Sequence, residues 1–370
     1  MKVACDRERL TSAFQVAASV VSTKSPKDIL QNVKVETGDG ELTLMASGAE
    51  TGVRIQVPEV EVIEPGKALF HVERVGRVLR ESSDEKLEFE TKDNNLFVRG
   101  IYAEIRIPTA NPDEYPTIPG FTEESYHELP AGTFREMVRR TAFATDQESA
   151  RFALGGVLFE MTDDKVVAVG TDGRRLAVVE GAGTSVGGHK TEGNATIIPT
   201  KSLVLMERSI SDEEAPVHLA VHGNEVLFRT NNCTINARLV EGRFPNWRQV
   251  IPDRTDSVQI DVNVGPLLSS IRQAAVVADK ETRGLDMIFG DGTLLMTASH
   301  AEQGESRVEL PIDYTGDKVA VKLDYRFIID FLKVLEPETR VKLDIESSKS
   351  PAVLKTDDGY TYIVMPMALD

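Results

Sequence analysis

Cysteine is nearly absent: Cys5 and Cys233 are the only two in 370 residues. They lie far apart and outside any metal-ligand spacing, which leaves them as reduced thiols of the kind expected in cytoplasm. No apolar run is long enough to span a bilayer, and the opening residues MKVACDRERL lack the apolar core of a signal peptide. A cytoplasmic protein is expected. Positive charge is also scarce. Lys and Arg number 42 against 59 Asp and Glu, for a formal charge of −17, which argues against a protein that grips nucleic acid with a uniformly basic surface.

Catalytic patterns are missing as well. His71, His127, His189, His218, His222 and His300 form no zinc motif, and His218 and His222 sit in an alternating VHLAVHG segment expected to be a strand face. The segment GAGTSVGGHKT, from Gly181 to Thr191, imitates a phosphate-binding loop but interposes His189 before Lys190, so a flexible loop is expected. There is no GxSxG elbow and no Cys and His pairing with family spacing. Carboxylates are plentiful, yet none pair at a strand end in the manner of a metal-dependent nuclease. Neither an enzyme nor a cofactor is expected. Asp172, in TDGRRL, reads as a turn residue before Gly173.

What the chain does have is a repeat. The stretch Pro266 to Lys280, PLLSSIRQAAVVADK, reads as a helix with Leu267, Ile271, Ala274 and Ala278 on one apolar stripe. The same plan recurs at Leu10, Phe14, Ala17 and Val21, and at Phe134, Val138, Thr141 and Thr145. A second helix follows in each unit, from Val72, Thr200 and Asp324, and matching positions Leu79, Met206 and Leu332 hold their spacing. Between the helices run period-two segments: Leu42, Leu44, Ala46; Val166, Ala168, Gly170; and Leu294, Met296, Ala298. GDG turns precede the first and last of them, at Gly38 to Gly40 and Gly290 to Gly292. Proline-rich joins at Ile107 to Gly120 and Gly242 to Asp253 place the unit boundaries at 1–122, 123–254 and 255–370. The fold class is α+β, with helices on one face of antiparallel sheets in three repeated units.

Two further features stand out. The helices carry more basic than acidic residues despite the negative total, which points to a shared basic surface. The terminal stretch TYIVMPMALD keeps Val364, Met365, Pro366 and Met367 together near a chain end. That composition suits either core packing or a shallow peptide-binding groove.

Taken with the repeat, LGGVLFE from Leu154, TDGRRLAV from Thr171, GRFPNWRQVIP from Gly242, TRGLDM from Thr282 and YIVMPM from Tyr362 closely resemble the bacterial DNA polymerase III beta subunit, the sliding clamps, over the whole chain. The resemblance implies a head-to-tail homodimeric ring with helices lining the hole and sheets outside. It implies sequence-independent binding of double-stranded DNA, with Arg74, Arg77, Arg80, Arg135, Arg139, Lys201, Arg208 and Arg272 toward the duplex. A subunit contact near Ile105, Val276 and Val277 follows from the same likeness. So does a peptide groove formed by Leu154, Thr171, Gly173, Arg174, Arg175, Leu176, Pro245, Val250, Val364, Met365, Pro366 and Met367. Its partners would be the DNA polymerase III alpha subunit, the clamp loader, repair polymerases and mismatch-repair proteins. The chain departs from the family pattern at Gln249, Thr282 and Ala368, Leu369, Asp370, which bears on partner preference. The alternative is a clamp-like peptide-binding hub that never encircles DNA.

Overall fold

The computed structural model describes residues 1–22, 25–38, 40–146, 153–191, 193–254 and 257–368. One element order recurs through the chain, with one short strand fewer in the third run among the described residues. The first run is β1 (Lys2–Asp6), α1 (Arg7–Ala18), β2 (Asn32–Gly38), β3 (Glu41–Ser47), β4 (Thr51–Val57), β5 (Glu61–Glu64), β6 (Gly66–His71), α2 (Val72–Glu81), β7 (Lys86–Lys92), β8 (Asn95–Arg99) and β9 (Glu104–Pro108). The second is β10 (Tyr126–Pro130), α3 (Ala131–Thr141), β11 (Gly156–Met161), β12 (Lys165–Thr171), β13 (Arg175–Ala182), β14 (Thr184–Val186), β15 (Ile197–Pro199), α4 (Thr200–Arg208), β16 (Pro216–His222), β17 (Glu225–Arg229) and β18 (Cys233–Arg238). The third is β19 (Val258–Asn263), α5 (Val264–Ala274), β20 (Gly284–Gly290), β21 (Thr293–His300), β22 (Gly304–Pro311), β23 (Val319–Asp324), α6 (Tyr325–Leu332), β24 (Arg340–Ile345), β25 (Ala352–Thr356) and β26 (Thr361–Val364).

Apolar spacing explains the helices. Leu10, Phe14 and Ala17 on α1, Phe134, Val138 and Thr141 on α3, and Leu267, Ile271 and Ala274 on α5 are all buried, as the period of 3.6 requires. Leu79, Met206 and Leu332 are buried on the second helices. Each helix pair, α1 with α2, α3 with α4 and α5 with α6, packs side by side on its sheets. Caps fix some starts: Asp6 accepts the Arg9 N–H at 2.8 Å, and Asp324 accepts the Arg326 N–H at 2.9 Å.

The stretch from Pro266 is shorter as a helix than its apolar stripe suggests. It begins at Val264 and ends at Ala274, and Ala275–Val277 forms one 3-10 turn. Asp279 then takes the Glu281 and Thr282 N–H groups on one oxygen, closing a turn that a continued helix would break. Val276 therefore lies on the turn, 75% exposed.

The sheets tie the runs together. β18 pairs antiparallel with β4, joining β14-β10-β16-β17-β18 to β4-β3-β2-β6 in a nine-stranded sheet. β13 pairs antiparallel with β26, joining β15-β11-β12-β13 to β26-β25-β24-β19 in an eight-stranded sheet. Two smaller sheets remain, β5-β1-β7-β8-β9 and β22-β21-β20-β23. Each ends in an unpaired edge strand, β9 in one and β22 in the other.

The segment from Gly181 to Thr191 is not a free loop. Its residues finish β13 and form β14, which pairs with β10. His189 is buried against the equally buried His127, with their Nδ1 atoms 2.7 Å apart. The His189 Nε2 accepts the Val221 N–H, so the neutral ring carries its proton on Nδ1 and donates it to His127. His127 passes its own Nε2–H to the Thr162 carbonyl. The histidine that spoils the phosphate-loop pattern thus anchors the segment. His218 lies on strand β16, as its alternating context suggests, and the Gly290–Gly292 turn closes β20 on β21. At the equivalent first turn, Asp39 lies outside the described residues.

Candidate functional site

On the face of the eight-stranded sheet away from the helices, the β13–β26 seam carries its own apolar cluster. Leu158, Val169, Leu176, Ile197, Phe244, Trp247 and Ile363 are buried together there, separate from the main core. A cleft of about 130 Å³ opens above them, lined by Leu154, Thr171, Gly173, Arg174, Arg175, Leu176, Pro245, Trp247, Val250, Ile363 and Met365. Its size is well below the roughly 300–1,000 Å³ of small-molecule pockets, so it suits side chains of an extended peptide better than a cofactor. Val250 and Met365, each 43% exposed, reach solvent at its rim beside the exposed Pro245.

Local chemistry builds the walls. Asp172 closes the turn between β12 and β13 by accepting the Arg174 and Arg175 N–H groups on Oδ1. Gly173 follows with φ of +87°, a conformation that disfavours a side chain. Thr171 Oγ1 donates to the Arg175 carbonyl at 2.6 Å and accepts the Gly173 N–H, which stiffens the turn. Opposite, Trp247 donates its indole N–H to Glu160, and Arg248 clamps the same carboxylate at 3.0 and 2.6 Å while stacking 4.1 Å from the Trp247 ring. Glu160 thereby fixes the short turn Trp247–Val250 that forms one lip.

The chain end is pinned across this seam. Met365 donates its N–H to the Arg174 carbonyl at 2.9 Å, and Met367 donates to Lys322 at 2.8 Å. Pro366 and Met367 do not enter the small cleft. They line an adjoining, more polar chamber of about 350 Å³ with Arg174, Thr282, Arg283, Asp324 and Phe327. Burial raises the Asp324 pKa there, against the pull of the Arg326 N–H. Arg174 and Met365 border both spaces.

Two further expected groove residues, Val364 and Arg175, are placed differently. Val364 is fully buried in the main core and lines neither space. The cause is the strand's period of two: Ile363 and Met365 point to the cleft, so Tyr362 and Val364 point to the helices. Ile363 and Trp247 line the cleft and are not among the residues that the resemblance implies for it. Strict alternation along TYIVM would have exchanged Val364 for Ile363. Arg175 does border the cleft, but its guanidinium turns inward through the seam. It bonds Asp172 at 2.9 Å, Asp330 at 2.8 Å and the Phe143 carbonyl at 2.6 Å, and lies 4.5 Å from the Phe327 ring. Burial works against its charge, but Tyr362, Asp330 and Asp172 outweigh that, and the net shift of its pKa is upward.

The basic helix residues divide into three groups. Arg74, Lys201, Arg208 and Arg272 are exposed and have no ion-pair partner among the described residues. Arg77, Arg80 and Arg139 are exposed beside Glu73, Glu81 and Glu136 at 3.1, 3.4 and 3.9 Å, pairs that are weak in water. Arg135 is committed elsewhere: it pairs with Glu213 and Glu207 and donates to the Ile210 carbonyl at 3.0 Å. Its guanidinium joins α3 to the end of α4 instead of standing free. Arg140, which adds to the helix charge in the sequence, is buried between Asp358 and Glu136 over the Tyr360 ring. Ile105 is 38% exposed on the open edge β9, and Val277 is half-buried beside Val276. Among the described residues no three metal-ligating side chains cluster.

Comparison with known proteins covers the chain end to end. Family models match as the DNA polymerase III beta subunit N-terminal domain over residues 1–119, central domain over 128–246 and C-terminal domain over 248–368. The beta sliding clamp of Pseudomonas putida is 25% identical, covering 100% of both chains. That of Chlamydia pneumoniae is 26% identical, covering 100% of this chain and 99% of the relative. A crystal structure of a DnaN sliding clamp from Pseudomonas aeruginosa, bound to griselimycin, superposes with a TM-score of 0.92 at 23% identity over the full length of both.

Proposed function

The chain belongs to the DNA polymerase III beta-subunit family, and from that premise we infer a ring that encircles duplex DNA and tethers replication and repair proteins to it. It is a DNA sliding clamp and has no catalytic role of its own. One observation carries the ring. Each run contributes two half-sheets, both internal seams pair a later half-sheet with an earlier one, and β9 and β22, the counterparts of the strands that meet in those seams, are left without each other among the described residues. Two copies joined head to tail through those edges close six similar units without a free end.

Our reading divides the chain at 1–122, 123–254 and 255–370, and places the subunit contact at Ile105, Val276 and Val277. Sequence-independent DNA binding then needs only a mildly attractive lumen, because topology does the holding. Arg74, Arg77, Arg80, Arg139, Lys201, Arg208 and Arg272 would supply it, with Arg135 secondary because carboxylates already hold it. The apolar cleft and its polar side chamber take extended segments of the DNA polymerase III alpha subunit, the clamp loader, repair polymerases and mismatch-repair proteins. Cytoplasmic residence fits the chemistry, and no described helix is long and apolar enough to cross a membrane.

Two measurements test this. The loaded protein should stay on nicked circular DNA and slide off linear DNA; equal loss from both would reduce it to a peptide-binding hub. Met365→Ala with Pro366→Ala should abolish binding of a polymerase-derived peptide and leave the dimer intact. Full binding by that double variant refutes the groove assignment.

A further inference from the structure

The two closed seams share one register, and that register predicts how the third one closes. In β3–β4, Ala46 faces Val53; in β12–β13, Gly170 faces Ala177; in β21–β22, Ala298 faces Ser306. Val53, Ala177 and Ser306 are therefore equivalent. The strands that join them come from hairpins closed by Thr230 N–H to Cys233, Thr356 N–H to Tyr360 and Gly100 N–H to Ala103. Two residues past each closing position stand Ile235, Tyr362 and Ile105. Within the chain these equivalent positions meet: Val53 pairs with Ile235, and Ala177 pairs with Tyr362.

We propose that β9 of one copy pairs with β22 of the next in the same register, with Ile105 directly opposite the partner's Ser306. The proposal rests on the dimer reading above and specifies its contacts. Ile235 and Tyr362 are fully buried, whereas Ile105 is 38% exposed in the single chain, as expected of the same position without its neighbour strand. On the other face the register sets Glu104 against the partner's Arg307, and Arg106 against the partner's Glu305. Opposite charges thus meet at both outward positions. A slip of two residues either way brings Glu104 opposite the partner's Glu305 or the partner's Glu309, and a slip of one turns the apolar row to solvent. In the single chain Glu104 bonds Arg99 and Arg307 bonds Glu309, exposed pairs that are weak in water, so an opposing strand can compete for both. The interface is coded by alternating charge.

The test uses the full chain. Glu104→Arg and Arg307→Glu should each raise the dimer dissociation constant by about tenfold or more in sedimentation equilibrium. Combining them should return it to within roughly threefold of wild type, because each chain then carries the exchanged pair. Singles that leave dimerisation unchanged, or a double variant no better than the worse single, overturn the register. As an independent readout, Ile105→Cys with Ser306→Cys should oxidise to a covalent dimer, since directly opposed positions lie within disulfide reach. Ile105→Cys with Val308→Cys should not, and efficient cross-linking by that offset pair also overturns it. Cys5 and Cys233 are buried and do not compete. Failure of the dimer reading itself looks different: wild type would sediment as a monomer throughout.

Discussion

The β4–β18 and β13–β26 seams have the same backbone plan and opposite surfaces. On the side away from the helices, the pair Leu176 and Ile363 of one corresponds to Gly52 and Asn236 of the other. The first pair floors an apolar cleft. In the second, a Cβ on Gly52 would lie 2.2 Å from Asn236 Oδ1, so an amide occupies the place that the Leu176 side chain fills in the first. On the helix side, Arg175 corresponds to Thr51. Arg175 is locked by two carboxylates and two rings, while Thr51 has a single hydroxyl contact to Ser202 at 3.0 Å. Thr51 itself lines an open cleft of about 940 Å³ between the residues after α1 and helix α4. The repeat supplies the joint, and side chains at equivalent positions decide whether that joint also binds something.

The largest effect that would sharpen this contrast is at those helix-side positions. Arg175→Ala removes a buried cation and strands Asp172 and Asp330, at a cost of about 3–5 kcal/mol. Thr51→Ala removes one hydroxyl contact and should cost only about 1 kcal/mol. Urea unfolding midpoints of the two variants measure the difference. Equal losses would mean that the seams are held alike and that the Arg175 network is decoration.

A smaller effect is expected on the outer side. Val250→Asn puts an amide on the rim of the cleft at a half-exposed position, so the fold should be kept while a polymerase-derived peptide binds roughly tenfold more weakly. Titration calorimetry of wild type should give one peptide per chain. Asn236→Ile should not create a second site, because Gly52 offers no apolar partner across the strands. A stoichiometry of two would break the distinction between the seams.

Much of this organisation is legible in the sequence, because helix stripes and strand alternation are local. The buried stripes of α1, α3 and α5 follow from spacing alone, and Asp172 and Gly173 announce their turn. What is not legible depends on the third dimension. Val364 and Ile363 look interchangeable in YIVMPM until the strand's phase is known. Arg135 and Arg139 look alike on one helix, but only Arg135 has Glu207 and Glu213 within reach. His189 reads as an interruption of a glycine-rich segment until His127, from a strand far back in the chain, is seen beside it. The ring is implied by family membership, but the open edges β9 and β22 that carry it, and the register proposed for them, need the strand pairings themselves.

The smallest effect separates the two sheets by pH. His71, His189 and His218, which belong to the nine-stranded sheet or bond to it, have pKa values lowered below 6.5. Burial is the first cause in each. Arg74 adds to it at His71, His127 at His189 and Arg229 at His218, partly offset by Glu73 at His71 and Glu128 at His218. The unfolded chain takes up these protons as pH falls through about 6.5 while the folded chain resists, so stability is lost from there down to the folded values. Each unit of depression is worth about 1.4 kcal/mol. The strands of the eight-stranded sheet contain no histidine. Lowering pH from 7.5 to 5.5 should therefore reduce hydrogen-exchange protection in β10 and β16 while leaving β13 and β26 nearly unchanged. The groove would then outlast the neighbouring joint in mild acid. Parallel loss in both sheets would show that the chain opens as one unit, which would erase the contrast between the seams.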